Sequence, residues 1–398
     1  MKKRRVVVLG STGSIGCSTL KVVAGLPDEI EIVGLAAGCN IHKLAEQATA
    51  TGVRHVAIHD VSQAAELRKL LPVGVTVYEG AEGLMEIATL AEADIVLIAI
   101  VGTAGLHPAL AAIEAGKDLA VASKEILVMA GEIVTSAAAR RGTRILPVDS
   151  EHNAIFQCLE GCRENSAVSR LILTASGGPF RTASATELCA VTPTQALHHP
   201  TWDMGPKITI DSATLFNKGL EMIEARWLFN IGMDRIDVVI HPQSIVHSMV
   251  EFVDGSTLAQ MSAPDMCFPI QYALTWPHRL RGGLKPLDFS SLGTLTFEAP
   301  RDNVFPALSL ARKAGKTGGT LPAVFNAANE IAVDAFRAWR IPFTGIWECV
   351  AAVMAVHETK SSATLEAVLK ADATARQAAA AWCDKHSQIP IDPAGQTA

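Results

Sequence analysis

Short apolar runs alternate with amphipathic stretches through the first third of the chain. Val6–Leu9, Glu31–Leu35, His55–Ile58, Ile95–Ile100, Asp118–Val121 and Arg144–Val148 read as strands. Between them Ser14–Ala24, Ile41–Thr51, Ser62–Leu71 and Gly105–Ala115 repeat apolar residues at helical spacing. That alternation predicts a Rossmann-like α/β domain, a parallel sheet with helices on both faces. In the middle third, Leu171–Ala175, Val238–Ile240, Val246–Phe252 and Leu258–Met261 predict a mostly open sheet in a central α/β domain. The chain is irregular from Pro286 to Pro306, then alanine-rich and helical over Ala323–Trp339, Ile346–His357 and Thr364–Lys385. The expected division is 1–149, 150–285, a linker over 286–312 and an α-helical domain over 313–398, with the tail after Ile389 frayed.

Composition narrows the class. A chain of 398 residues exceeds what one core normally organises, and 49% hydrophobic with 19% charged residues excludes disorder. A net charge of −6 implies no general face for nucleic acid, so anionic ligands would meet particular cations. The eight cysteines are scattered; only Cys158 and Cys162 are close, at helical rather than zinc-ribbon spacing, and all are read as reduced packing residues. Val6–Leu9 is too short for a secretory core and Ile95–Val101 too short to span a bilayer. These features point to a cytoplasmic protein without a membrane or nucleic-acid partner.

The first chemical motif is Gly10-Ser11-Thr12-Gly13-Ser14-Ile15-Gly16, which follows a strand and opens a helix. Glycines there allow a tight turn and bring pyrophosphate close to backbone N–H groups. Strand-to-helix turns also need glycine for structure alone, but an N-terminal position within a βαβ unit favours a dinucleotide site. The next strand ends Leu35-Ala36-Ala37-Gly38-Cys39-Asn40, with no acid before Glu46. Lacking the carboxylate that receives a ribose 2′-hydroxyl, the loop does not repel a 2′-phosphate, which favours NADPH over NADH.

Asp149-Ser150-Glu151-His152-Asn153 leaves the apolar run Ile145–Val148 with two carboxylates, a hydroxyl and an imidazole. A hard cation such as Mg²⁺ takes oxygen ligands and keeps positions for substrate oxygens. Asp and Ser before a helix are also ordinary caps. Asp211–Glu221, read as a helix capped near Asp211 or Ser212, places Asn217, Lys218 and Glu221 on one face, with Phe216, Leu220, Ile223 and Trp227 as an apolar stripe. The competing reading is a solvated Lys–Glu pair. Thr174–Pro179 is a glycine turn whose Ser176 and N–H groups could hold an anion. The loop over 198–206 carries Trp202 in polar surroundings, as a water-excluding lid would, or as a loop with a surface Trp.

These segments, with His241–His247, closely resemble the 1-deoxy-D-xylulose 5-phosphate reductoisomerase family over essentially the whole chain. The resemblance implies a homodimeric enzyme with nucleotide, catalytic and helical domains. It would use NADPH and Mg²⁺ or Mn²⁺ to make 2-C-methyl-D-erythritol 4-phosphate for non-mevalonate isoprenoid synthesis, by carbon–carbon rearrangement to an aldehyde and hydride reduction. At matching positions, Asp149, Glu151 and Glu221 would bind the cation, and Lys124 would join them as a catalytic residue. Lys124, Ser150, Glu151, Ser176, His199, Trp202, Ser212, Asn217, Lys218 and Glu221 would meet the phosphorylated sugar. Thr12, Gly13, Ser14, Ile15, Gly38, Cys39, Asn40, Ser123, Glu125 and Gly205 would line the NADPH site. His152 and His247 would position other groups. Two positions depart from the pattern: Cys39 stands where some members have a basic residue, and Ser123 where many have Asn. The alternatives are an NADP-dependent semialdehyde dehydrogenase, which needs a nucleophilic cysteine, and a non-catalytic NADPH-sensing protein.

Overall fold

The computed structural model describes residues 3–162, 164–199, 202, 204–361 and 364–387. The expected fray after Ile389 lies outside the described residues, as do Pro200, Thr201 and Asp203 of the expected lid. The chain forms two compact units, each discontinuous in sequence. The first comprises residues 1–126, 131–160 and 265–288, the second 127–130, 161–264 and 289–398. Contiguous bounds of the kind read from the sequence do not capture this interleaving.

The first unit is built on seven parallel strands: β1 (Arg4–Leu9), β2 (Ile30–Ala37), β3 (His55–Ile58), β4 (Thr76–Glu79), β5 (Ile95–Ile98), β6 (Asp118–Val121) and β7 (Ile145–Pro147). Their spatial order is β4-β3-β2-β1-β5-β6-β7. Val6, Val8, Leu35, Ile58, Ile95 and Leu97 are buried in its core, as near-continuous apolar strands covered on both faces must be. The helix Cys267–Thr275 returns from the middle of the chain to add Cys267, Ile270 and Leu274 to the same core and packs on Ser14–Ala24. Sequence periodicity passes over β4, the helix Gly80–Ala88 and the helix Lys124–Arg141. The last is apolar on several sides and holds a non-helical residue, Ala130 (φ −131°), so it shows no clean amphipathic stripe.

The second unit holds a four-stranded open sheet of β8 (Val168–Ala175), β9 (Ile236–Ile240), β10 (Val246–Phe252) and β11 (Thr257–Met261), in the order β11-β10-β8-β9. Helices Leu321–Arg337, Gly345–Val356 and Leu365–Lys385 form the expected C-terminal layer. One helix, Ala307–Thr317, begins inside the segment read as linker, because Leu308, Ala311 and Ala314 form a buried stripe. Gly219 lets the helix Phe216–Phe229 approach it: a Cβ there would stand 3.0 Å from Ala311 Cβ. Phe216 and Phe325 meet between helices with ring centroids 5.2 Å apart and planes tilted by 32°, and both are fully buried. No helix among the described residues is long and apolar enough to cross a membrane.

Candidate active site

In the first unit, β1 lies between β2 and β5, where the strand order reverses. Open α/β sheets bind nucleotides in the crevice outside the carboxyl ends of strands at such a point. The turn Gly10–Gly16 sits at that end of β1. Gly10 and Ser11 N–H both donate to Ala36 O, at 2.9 and 2.8 Å. Gly13 is the N-cap of Ser14–Ala24 and brings no side chain to the first-turn N–H groups. Thr12 and Ile15 are half-buried and Ser14 exposed. Gly38, Cys39 and Asn40 form the exposed rim after β2, and Asn40 caps the next helix by accepting from Lys43 N–H at 3.2 Å. This backbone-rich cradle fits a dinucleotide.

Ser123 and Glu125 are buried beside β5 and β6. The Ser123 hydroxyl donates to Ile100 O. Its side chain is turned onto the end of β5. Lys124, also buried, donates from Nζ to Asp149 Oδ2 at 2.8 Å. Asp149 ends the β7 segment, and its Oδ1 accepts from Glu151 N–H at 3.2 Å as the cap of Ser150–Cys158. Asp149 is therefore at once the cap of this helix and the ion-pair partner of Lys124. Ser150 Oγ donates to Glu151 Oε2, and His152, fully buried, has Nδ1 3.7 Å from Asp149 Oδ1. Asn153 fixes this helix start by donating to Pro147 O at 2.8 Å and Pro269 O at 3.2 Å. Carboxylates and a hydroxyl at one strand end are oxygen donors suited to a hard cation.

In the second unit, His199 Nε2 stands 3.0 Å from Ser176 Oγ and 3.1 Å from Ser212 Oγ. His199 Nδ1 accepts from Trp202 N–H at 2.9 Å, so the neutral ring carries its proton on Nε2, facing the two hydroxyls. Gly178 N–H donates to Ser176 Oγ at 3.2 Å. Gly178 has φ +66°, and a Cβ there would meet Ser212 O at 2.9 Å. The glycine turn thus packs directly on the helix Pro206–Ala213, headed by Gly205. Hydroxyls and an imidazole converging on one point can hold a phosphate. Burial holds the His199 pKa below its ordinary 6.5. With the folded pKa depressed, the unfolded chain binds more protons in the window between the two values. Stability therefore rises with pH through that window and falls as pH is lowered below 6.5. Thermal melts across it should show a shallower acid-side loss for His199→Gln than for the native chain; an unchanged slope would contradict this.

The residues expected to cap one helix from 211 to 221 do not. Asp211 and Ser212 close Pro206–Ala213, and a new helix starts at Phe216 after Leu215 at φ +64°. A buried leucine in that conformation gives no local signal, because its side chain is held by the core rather than by turn chemistry. On the second helix Asn217, Lys218 and Glu221 do share a face. Asn217 Nδ2 donates to Glu221 Oε1 at 2.5 Å and Lys218 Nζ to Oε2. Lys218 is 3% and Glu221 0% exposed, which excludes a solvated surface pair.

Sequence reasoning missed several contacts. Asp211, almost fully buried, pairs with Lys207 at 2.7 Å and accepts from Asn329 Nδ2 at 2.8 Å. His241, fully buried, accepts at Nε2 from the N–H groups of Ile245 and Val246, both at 3.2 Å. Gln47 donates to Ser11 O and Lys43 to Thr12 O, both at 2.9 Å. For that last pair a signal existed: positions 43 and 47 are i, i+4 on one helix face.

Cys267, Cys349 and Cys383 are buried, and burial first of all pushes the Cys267 thiol up to about 11, the wrong direction for a thiolate. Cys39 and Cys189 are exposed, so not every cysteine is a packing residue.

Comparison with known proteins gives the family. Residues 6–131 match the family 1-deoxy-D-xylulose 5-phosphate reductoisomerase, residues 145–229 its C-terminal domain, and residues 261–378 the DXP reductoisomerase C-terminal domain. The 1-deoxy-D-xylulose 5-phosphate reductoisomerase of Symbiobacterium thermophilum is 53% identical over 382 residues, 95% of this chain and 98% of that one. The chain belongs to the 1-deoxy-D-xylulose 5-phosphate reductoisomerase family. The reductoisomerase of Zymomonas mobilis, solved in complex with NADPH, superposes with a TM-score of 0.91 at 46% identity, covering 96% of this chain and 100% of that one. A DOX-P reductoisomerase solved with NADPH, fosmidomycin and magnesium gives 0.89 at 41% identity, covering 97% and 100%. Membership makes this an NADP-dependent oxidoreductase that also isomerises, and sets the semialdehyde dehydrogenase reading aside.

Proposed function

We propose that the chain rearranges and reduces 1-deoxy-D-xylulose 5-phosphate to 2-C-methyl-D-erythritol 4-phosphate, with NADPH and Mg²⁺ or Mn²⁺, in non-mevalonate isoprenoid synthesis. The observation that carries this reading is the Asn217–Lys218–Glu221 face. A buried carboxylate beside a buried ammonium is costly in a helix that Leu or Met would pack as well. Chemistry accounts for its presence.

In this reading Asp149, Glu151 and Glu221 hold the divalent cation, an all-oxygen set. When bound, the cation would polarise the substrate carbonyl and neighbouring hydroxyl, and NADPH would supply hydride. Lys124, paired with Asp149, stabilises the oxyanion that develops on the substrate. Ser150 and Glu151 orient the sugar. Ser176, His199, Ser212, Asn217 and Lys218 grip its phosphate, so binding energy far from the reacting carbons fixes them in place. Trp202 covers the substrate and excludes water. Thr12, Gly13, Ser14, Ile15, Gly38, Cys39, Asn40, Ser123, Glu125 and Gly205 line the cofactor site. Most of these cofactor residues belong to the parallel-sheet unit, and the protein works as a cytoplasmic homodimer.

The test follows NADPH absorbance with purified protein, 1-deoxy-D-xylulose 5-phosphate and Mn²⁺ or Mg²⁺. Metal-dependent NADPH consumption yielding methylerythritol phosphate is expected, suppressed by chelator and slow with NADH. A folded, NADPH-binding protein without turnover would overturn the reading in favour of a sensor.

A further inference from the structure

The rim after β2 leaves a gap in the account of cofactor choice. Gly38, Cys39 and Asn40 carry no acid, which permits a 2′-phosphate without attracting one. Cys39 is uncharged where a cation would select, and the Asn40 side-chain oxygen is engaged as a helix cap. Asp60, whose N–H donates to Gly38 O at 2.9 Å, turns its carboxylate onto Ser62, accepting from Ser62 N–H at 3.1 Å and from its hydroxyl at 2.6 Å.

One cation reaches this rim from the helix Ile41–Thr51. Lys43 is half-buried, and its Nζ donates to Thr12 O at 2.9 Å. It therefore lies between the glycine turn and the β2 rim, where the adenosine ribose of a dinucleotide sits in such folds. One turn on, the same helix face presents Gln47, whose amide donates to Ser11 O at the same distance. Two consecutive carbonyls of the turn are thus held from one helix, the inner by a neutral amide and the outer by an ammonium. Since a neutral donor suffices for the first, holding a carbonyl does not explain a charge at the second. An ammonium has three N–H donors, and Thr12 takes one.

Resting on the NADPH reading above, we infer that Lys43 is the specificity-determining residue for the 2′-phosphate of NADPH, supplying the charge that Cys39 lacks. A charge-assisted hydrogen bond of this kind separates two otherwise equal ligands by about 10- to 100-fold. Coenzyme binding is measured by fluorescence titration of the whole protein with NADPH and with NADH, without substrate or metal. Lys43→Gln should weaken NADPH about 10- to 100-fold and leave NADH unchanged, with an unaltered thermal melt. Lys43→Arg should keep the preference, and Cys39→Lys should restore it in the Lys43→Gln protein. Equal weakening of both coenzymes would reduce Lys43 to a strut for Thr12, and no change in either would place the 2′-phosphate elsewhere; both overturn the inference. A native protein that binds NADPH no more tightly than NADH would overturn the NADPH reading itself, an outcome visible before any variant is made.

Discussion

Glu221→Gln is expected to lower turnover by about three orders of magnitude while leaving the protein folded and its NADPH affinity intact. Glu221 is fully buried on a helix anchored by Phe216, Leu220 and Ile223, each also at 0% exposure. Glutamine has the same shape and still offers an oxygen to Asn217, so the packing that holds the helix does not change. What changes is one negative charge out of the three carboxylates proposed to hold the cation. Lewis-acid polarisation of a carbonyl is worth several kcal/mol, and each 1.36 kcal/mol is about tenfold in rate. Lys218 would face a neutral partner in place of a carboxylate, which adds a stability cost readable as a lower melting temperature. Steady-state turnover at saturating Mn²⁺ checks the prediction, with circular dichroism as the control for folding. Near-native turnover would remove Glu221 from the chemistry, and with it the reason for burying a carboxylate there.

The parts of this protein legible from sequence are those whose cause is local. β1 and its glycine turn can be read because four consecutive apolar residues and three spaced glycines each answer to a local requirement. Asp149 can be read as a cap because the cap is two residues from the N–H it serves. The weak edge strand β4 gives no sequence signal because its residues, from exposed Thr76 to half-buried Glu79, carry no clean alternation. The helix break at Leu215 leaves no trace in the sequence because its left-handed backbone is held by burial of the leucine side chain, a tertiary effect. Asn329 lies 118 residues from Asp211, and nothing near either residue announces their hydrogen bond. The two-unit division was hidden for a related reason: Cys267–Thr275 looks like any apolar helix, and only folding shows that it completes the core of the first sheet. Of the candidate site, the residue types and their placement on strand ends and helix faces were legible. The grouping of two hydroxyls around His199 follows from the family resemblance and from no local pattern, since Ser176, His199 and Ser212 come from three separate segments.

Gly16→Ala should cost both stability and cofactor, whereas Gly13→Ala should leave stability nearly unchanged. A Cβ on Gly16 would stand 2.3 Å from Ser11 O and 2.4 Å from Gly10 O and Ser11 Cα, all backbone atoms. None can step aside easily. Gly10 and Ser11 are tied through their N–H groups to Ala36 O, and Ser11 O is held by Gln47 at 2.9 Å. The helix Ser14–Ala24 would have to move outward, away from the core that Val22 shares with Val6 and Val8. Overpacking of this kind costs about 1–3 kcal/mol, a drop of roughly 2–4 °C per kcal/mol in a domain of this size. Moving the helix also carries its first-turn N–H groups away from the pyrophosphate they are proposed to bind, so NADPH affinity should fall about 100-fold or more. At Gly13, by contrast, a Cβ would meet only Gly10 O, at an ordinary 3.4 Å. That substitution tests close approach of the cofactor alone. Thermal melts and NADPH titrations of both variants separate the two effects. A Gly16→Ala protein with native melting temperature and native affinity would show that the turn is not the rigid cradle its hydrogen bonds describe.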